Sequence, residues 1–178
     1  MVELIIAFCL IFLAAVLVVC IFMLLGINAV KAIVNPKEVV KGNGDKKALL
    51  LYQPSRHSTA KNVTEKIADV LVEKGYKVII NHPSEKIDYD LEEFEFLGFG
   101  SPIYVGRYST ELKKYLQTHE FRNKKVLVYA IGSRIDETEE IDSMYELINR
   151  SNETFKIKVS KNTADSLPMY VQRMTEGN

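Results

Sequence analysis

Three short stretches of this sequence hold side chains suited to gripping a ligand: Gln53-Pro54-Ser55-Arg56-His57-Ser58-Thr59-Ala60, Gly100-Ser101-Pro102-Ile103-Tyr104-Val105-Gly106-Arg107 and Ile131-Gly132-Ser133-Arg134. The first is rich in hydroxyls and runs directly into apolar residues at helical spacing, Val63, Ile67, Val70 and Leu71. Unpaired N–H groups at a helix start, with hydroxyls beside them, hold an anion. A phosphate therefore fits Ser55 to Thr59. The alternative needs no ligand: Ser58 or Thr59 caps the helix that follows. His57 can reach a phosphate or stand in solvent, and Arg134 and Asp136 read as a charged, solvated turn or as a pocket rim. His82 and His119 have no partners at catalytic or metal-binding spacing, and no nucleophile stands with a base. Any chemistry must come from a bound group.

These stretches follow apolar runs that read as strands. Ala48 to Tyr52, Lys77 to Asn81, Phe94 to Phe99, Lys125 to Ala130 and Phe155 to Val159 are the predicted strands, the last more alternating and so expected at an edge. Between them lie helical patterns: the one after Thr59, Thr110 to Leu116, Thr138 to Ile148 with Ile141, Tyr145 and Ile148 on one face, and a last one around Ala164 to Met174. Repeated strand–helix units predict a parallel sheet with helices on both faces. Ligands of such sheets collect beyond the C-terminal strand ends, which is where the three stretches fall.

The chain opens differently. From Leu4 to Val30, 27 residues carry no charge. As a helix that length reaches about 40 Å, against a hydrocarbon core of about 30 Å, so it predicts a transmembrane anchor. A cleaved signal peptide would have a basic start and a shorter apolar core; here Glu3 is the flanking charge. Lys31, Lys37, Lys41, Lys46 and Lys47 all follow the span, which predicts a cytoplasmic domain. The expected organisation is an anchor over 1–30, a linker over 31–45 and a domain over 46–178, with Pro36 ending the helix and Lys41-Gly42-Asn43-Gly44-Asp45 as a flexible tether. Cys9 and Cys20 lie inside the apolar run and read as small hydrophobes. Lys plus Arg and Asp plus Glu both number 23, so no basic field points to nucleic acid. Asn62-Val63-Thr64 and Asn152-Glu153-Thr154 match the glycosylation pattern, which is idle in a cytoplasmic domain.

The run Gly98-Phe99-Gly100-Ser101-Pro102-Ile103-Tyr104-Val105-Gly106, with Leu112-Lys113-Lys114-Tyr115-Leu116 after it, resembles the third strand, flavin-side loop and next helix of the flavodoxin-like family. Tyr52 with its Ser/Thr-rich loop, and Lys124-Lys125-Val126-Leu127-Val128-Tyr129 leading to Gly132, fall at that family's intervals, so the resemblance covers residues 46 to 160. It implies a doubly wound five-stranded parallel sheet in order 2-1-3-4-5, noncovalent FMN and electron transfer. Ser55, Arg56, His57, Ser58 and Thr59 would hold the phosphate. Ser101, Pro102, Ile103, Tyr104, Val105, Gly106 and Gly132 would meet the ring, with Tyr104 stacked on one face or else folded on its own loop. The phosphate loop departs from the family's Thr/Ser-x-Thr-Gly-x-Thr: Ser55 keeps the first hydroxyl, while Ser58 stands at the glycine and Ala60 at the last threonine. The expected partners are a redox protein or a small or lipid-soluble acceptor at the membrane. A flavin-free interaction module is the competing reading, and within the flavin class the anchor and the Gly100-Ser101-Pro102-Ile103-Tyr104-Val105-Gly106 run also resemble flavodoxin-like enzymes of the protoporphyrinogen oxidase kind.

Overall fold

The computed structural model describes residues 1–148, 153–160 and 162–176. Asn152 of the second glycosylation pattern and the last two residues of the predicted domain lie outside them. The apolar opening forms one helix, α1 (Val2–Val30), 29 residues with a mean hydropathy of 3.4 in its most apolar window and none of that window buried in the protein. The rest alternates as predicted: β2 (Lys46–Tyr52), α2 (Thr59–Glu73), β3 (Tyr76–Asn81), β4 (Phe96–Pro102), α3 (Thr110–Thr118), β5 (Lys125–Ile131), α4 (Glu139–Tyr145), β6 (Glu153–Val159) and α5 (Leu167–Thr175). Their order in the sheet is β3-β2-β4-β5-β6, all parallel. Counted from β2, this is the order 2-1-3-4-5.

A sixth strand precedes them. β1 (Val39–Lys41) pairs antiparallel with β3 through Val39 and Ile80, Val40 and Ile79, and Lys41 and Val78. The expected five-stranded sheet thus gains an edge, and the linker is not a free tether. Lys41 also bonds Asp69 at 2.7 Å, and Gly44 lies so close to the turn after α2 that a Cβ there would stand 1.8 Å from the Gly75 carbonyl oxygen. The unpaired edge of β3 supplies the driving force, since an open strand edge presents unmet N–H and C=O groups.

Helices cover both faces. One core joins Leu50, Ile67, Leu71, Phe96, Leu127 and Val171 beneath α2 and α5; the other joins Leu49, Leu97, Phe99, Leu112, Val128 and Met144 beneath α3 and α4. β2, β4 and β5 are buried nearly throughout, which is why their sequences are continuous apolar runs. Some boundaries shift. α1 ends at Val30, ahead of Pro36, and the Ala32 carbonyl, whose i+4 partner would be Pro36 with no N–H, accepts instead from Gln53 Nε2 at 3.1 Å. In α4, Met144 takes the buried place expected for Tyr145, which is 40% exposed.

Candidate functional site

All parallel strands end at one edge, so the loops after β2, β4 and β5 come together there. The loop after β2 is polar and mostly open: Ser55 and Thr59 are half-buried, and Arg56, His57 and Ser58 are exposed. Ser58 is the N-cap of α2 but its side chain makes no capping hydrogen bond, and Thr59 is the first helical residue. The cap comes from Ser55, whose Oγ accepts from the Ala60 N–H at 3.3 Å and donates to the His57 carbonyl. Beside it lies a cleft of about 760 Å³ lined by Arg56, His57, Ser58, Asn62 and Lys66 among others. Among the described residues no carboxylate lines it. Lys66 is engaged by Asp165, so first-turn N–H groups, hydroxyls and the Arg56 guanidinium are what suit a phosphate here.

The loop after β4 is built otherwise. Ser101 and Pro102, expected in the loop, are the last residues of β4 and are buried. Pro102 is tolerated because it closes the strand. The Ser101 hydroxyl donates to the Pro102 carbonyl and accepts from the Ser109 N–H, both at 2.9 Å. Ser109 was not foreseen as important, yet it caps α3 through the Leu112 N–H and donates to Gln53 Oε1 at 2.9 Å. Gln53 in turn holds Ala32. This buried chain joins the β4 loop, the helix after it and the segment leaving α1.

Above it, Tyr104 and Arg107 exchange backbone hydrogen bonds of 2.9 and 3.0 Å across a tight turn. The two residues between them both have positive φ, Val105 at 51° and Gly106 at 66°. For a β-branched residue that conformation is strained. Val105 sits against α1 at Gly26, where an added Cβ would stand 2.2 Å from its Cγ2. Tyr104 is half-buried and its Oη accepts from the Arg56 N–H at 3.4 Å, so the two loops meet. Ile103 is half-buried, and the Cβ that Gly132 lacks would contact it at 3.6 Å. Gly132 itself donates its N–H to Val159 at 2.9 Å.

Beneath the loop after β5, Lys158 and Glu140 form an ion pair at 2.9 Å with both side chains under a tenth exposed. Burial alone would raise the Glu140 carboxyl, but the Lys158 ammonium holds it below its ordinary value. Sequence alone marks neither residue: a glutamate opening a helix and a lysine in an alternating strand look solvated until the fold brings them together. The segment from Asn35 to Glu38 crosses the same edge on its other side. The Lys37 N–H donates to Asn81 Oδ1 at 2.7 Å, His82 Nδ1 bonds the Asn35 carbonyl at 3.0 Å, and Tyr89 donates to Glu38 at 2.6 Å. Arg134 remains at the surface, bonded to Glu137 at 2.6 Å. Among the described residues no cluster of His, Cys, Asp and Glu could hold a metal.

The fold and this edge have known counterparts. A flavodoxin domain model matches residues 49–166, well over half of the chain, and the protein belongs to that family. An uncharacterized protein of Methanocaldococcus jannaschii is 31% identical over 85 residues, covering 47% of this chain and 53% of its own. The chain thus matches about half the length of that relative. Among solved structures, the flavodoxin of Streptococcus pneumoniae TIGR4 aligns with a TM-score of 0.59 at 13% identity, over 73% of this chain and 98% of its own. Oxidised flavodoxin 2 of Bacillus cereus gives 0.57 at 20% identity, over 73% and 98%. An NADH:FMN oxidoreductase in apo form gives 0.54 at 18%, over 74% and 89%. At such identities these likenesses show the fold. With the family, they support a flavin-binding redox role.

Proposed function

We propose that this chain is a membrane-tethered, FMN-binding flavodoxin-like protein that transfers electrons to or from a membrane-associated partner, either a redox protein or a small or lipid-soluble acceptor. The observation that carries the reading is the meeting of the two loops at Arg56 and Tyr104, beside a cleft lined by Arg56 and hydroxyls with no carboxylate among its described lining residues. Ser55, Ser58, Thr59 and the first N–H groups of α2 hold the phosphate, with Arg56 supplying charge. Ile103, Tyr104, Val105, Gly106 and Gly132 border the ring, and Tyr104 covers one face. Ser101 and Pro102 act from beneath, fixing where the loop leaves the sheet. FMN, when bound, supplies the redox chemistry; the chain binds it, orients it and excludes water. The apolar helix α1 anchors the domain, and the five lysines between Lys31 and Lys47 set it on the cytoplasmic side.

Anchoring raises the concentration of the domain near membrane partners. Protease added to intact cells should leave the domain whole; degradation from outside overturns the topology. Full-length protein in detergent, reconstituted with FMN, should bind it at micromolar concentration and show a flavin spectrum. Failure to bind overturns the flavin reading. A flavin-free interaction module then takes its place, a reading favoured by one observation: Ser55 Oγ is already bonded to Ala60 and His57.

A further inference from the structure

We infer that the cleft between the last turns of α1 and the Tyr104–Arg107 turn binds the headgroup of an anionic phospholipid, received sideways from the bilayer. The inference rests on α1 being a membrane span, and begins from depth. Its 29 residues reach about 43 Å, whereas the hydrocarbon core is about 30 Å and the whole bilayer with headgroups about 40–45 Å. The final turns therefore stand among headgroups. There Met23, Ile27 and Val30, at helical spacing, form one wall of a cleft of about 750 Å³.

The rest of the lining is polar and carries Arg107 and Lys113 from the other side and Lys31 from the C-cap of α1 itself. No ion pair or side-chain hydrogen bond engages these three cations among the described residues. Two carboxylates share the wall, but Glu140 is held by Lys158, which leaves Glu139 alone against three positive charges. An apolar wall continuous with the membrane and a cationic wall at phosphate depth match one molecule that has both parts. Acyl chains lie along Met23 and Ile27 while the phosphate meets Arg107, whose guanidinium can bond two oxygens at once.

The turn itself suits that level. Its tip, Val105, is half exposed and apolar, and it is flanked by Tyr104 and Arg107, a ring that favours the interface and a cation that pairs with phosphate. The strain at Val105 is tolerated where the tip fits the notch at Gly26. Because Tyr104 belongs to this turn and also touches Arg56, lipid in the cleft would steady the residue that borders the flavin ring.

The test uses the full chain in mixed micelles of phosphatidylcholine and phosphatidylglycerol, with retained lipid read by native mass spectrometry. Wild-type protein should retain phosphatidylglycerol preferentially. Arg107→Gln with Lys113→Gln should lower that preference roughly 25-fold, about fivefold for each charge removed at a membrane surface. Lys77→Gln, an exposed cation on β3, should leave it unchanged. No preference in the wild type, or an equal loss in Lys77→Gln, overturns the site while the anchor stands. Equal binding of soluble glycerophosphate, which has no acyl chains, also overturns it. A full chain that alkaline extraction releases from membranes overturns the span beneath both readings.

Discussion

The loop after β2 and the loop after β4 stand side by side at one sheet edge, yet they are held in opposite ways. Past Gln53 the first is held largely within itself: Ser55 caps its own helix and Arg56, His57 and Ser58 are exposed, although the Arg56 N–H crosses to Tyr104. The second rests on a buried polar chain from Ser101 through Ser109 and Gln53 to Ala32, and its strained tip lies against α1. A change in the first should stay local. A change in the second should reach α1, so under the proposed function the end of the site that borders the ring is the end coupled to the anchor.

The largest effect should come from the floor of the ring side. Glu140→Gln leaves Lys158 buried without its counter-ion and should cost about 3–5 kcal/mol of stability by chemical denaturation. Replacing both by apolar residues of similar size should recover most of that loss. The pair should also fail in acid: a carboxyl held below its ordinary 4.5 contributes stability above that pH, and loses it as pH falls through the lowered value. A cost below about 1 kcal/mol would put the pair in the class of surface bridges and remove the floor from the comparison.

Next comes the phosphate end. Ser55→Ala removes one hydrogen bond to a charged group, about 1.5–3 kcal/mol, so FMN affinity should fall roughly ten- to a hundredfold. Riboflavin, which lacks the phosphate, should bind the variant as it binds wild type, while Tyr104→Ala should weaken both and shift the flavin spectrum. Equal loss of riboflavin binding in Ser55→Ala would show that the two loops do not act separately.

A smaller effect is expected at the tip. Val105→Asn places a residue that tolerates positive φ in the turn and should stabilise the domain by about 1 kcal/mol. It should also weaken the contact with Gly26, read as faster hydrogen exchange at the Tyr104–Arg107 turn. Slower exchange there would mean that Val105 is not what joins the turn to α1.

Much of this comparison could be read from sequence, and what could not has a common cause. Continuous apolar runs announced β2, β4 and β5, because strands buried on both faces need them. The loops at their C-terminal ends followed from that topology. β1 was hidden: Val39-Val40-Lys41 is too short to show a period, and its strand character comes from the distant edge of β3. Ser55 was read as a phosphate ligand while the cap was assigned to Ser58 or Thr59, since spacing does not tell which hydroxyl a folded loop aims at the helix. Gln53, Ser109, Glu140 and Lys158 are polar residues whose burial depends on partners 18 to 56 positions away. The positive φ of Val105 runs against its own preference and could be found only in the fold.

The subtlest difference lies in how the two loops' neighbours meet the segment leaving α1. On the ring side Val105 makes an apolar contact with α1 itself at Gly26, above the Gln53–Ala32 bond; on the phosphate side the segment after α1 is held by polar contacts, with Tyr89 donating to Glu38 at 2.6 Å and accepting from Asn81 at 2.8 Å. Burial, and then the hydrogen bond to the Glu38 carboxylate, push the Tyr89 phenol from 10.0 up to about 12. A raised phenol favours the protonated folded state, so its contribution is whole below pH 10 and is lost as pH rises through about 12. Ionisation removes the donated proton and sets two anions together, which should loosen the Asn35–Glu38 segment and leave the Val105 contact in place. Phenolate absorbance, taken as wild type minus Tyr89→Phe, should titrate near the raised value, and Glu38→Gln should move that midpoint down toward 10. An unmoved midpoint would mean that burial alone protects Tyr89 and that Glu38 does not fasten the segment to the phosphate side.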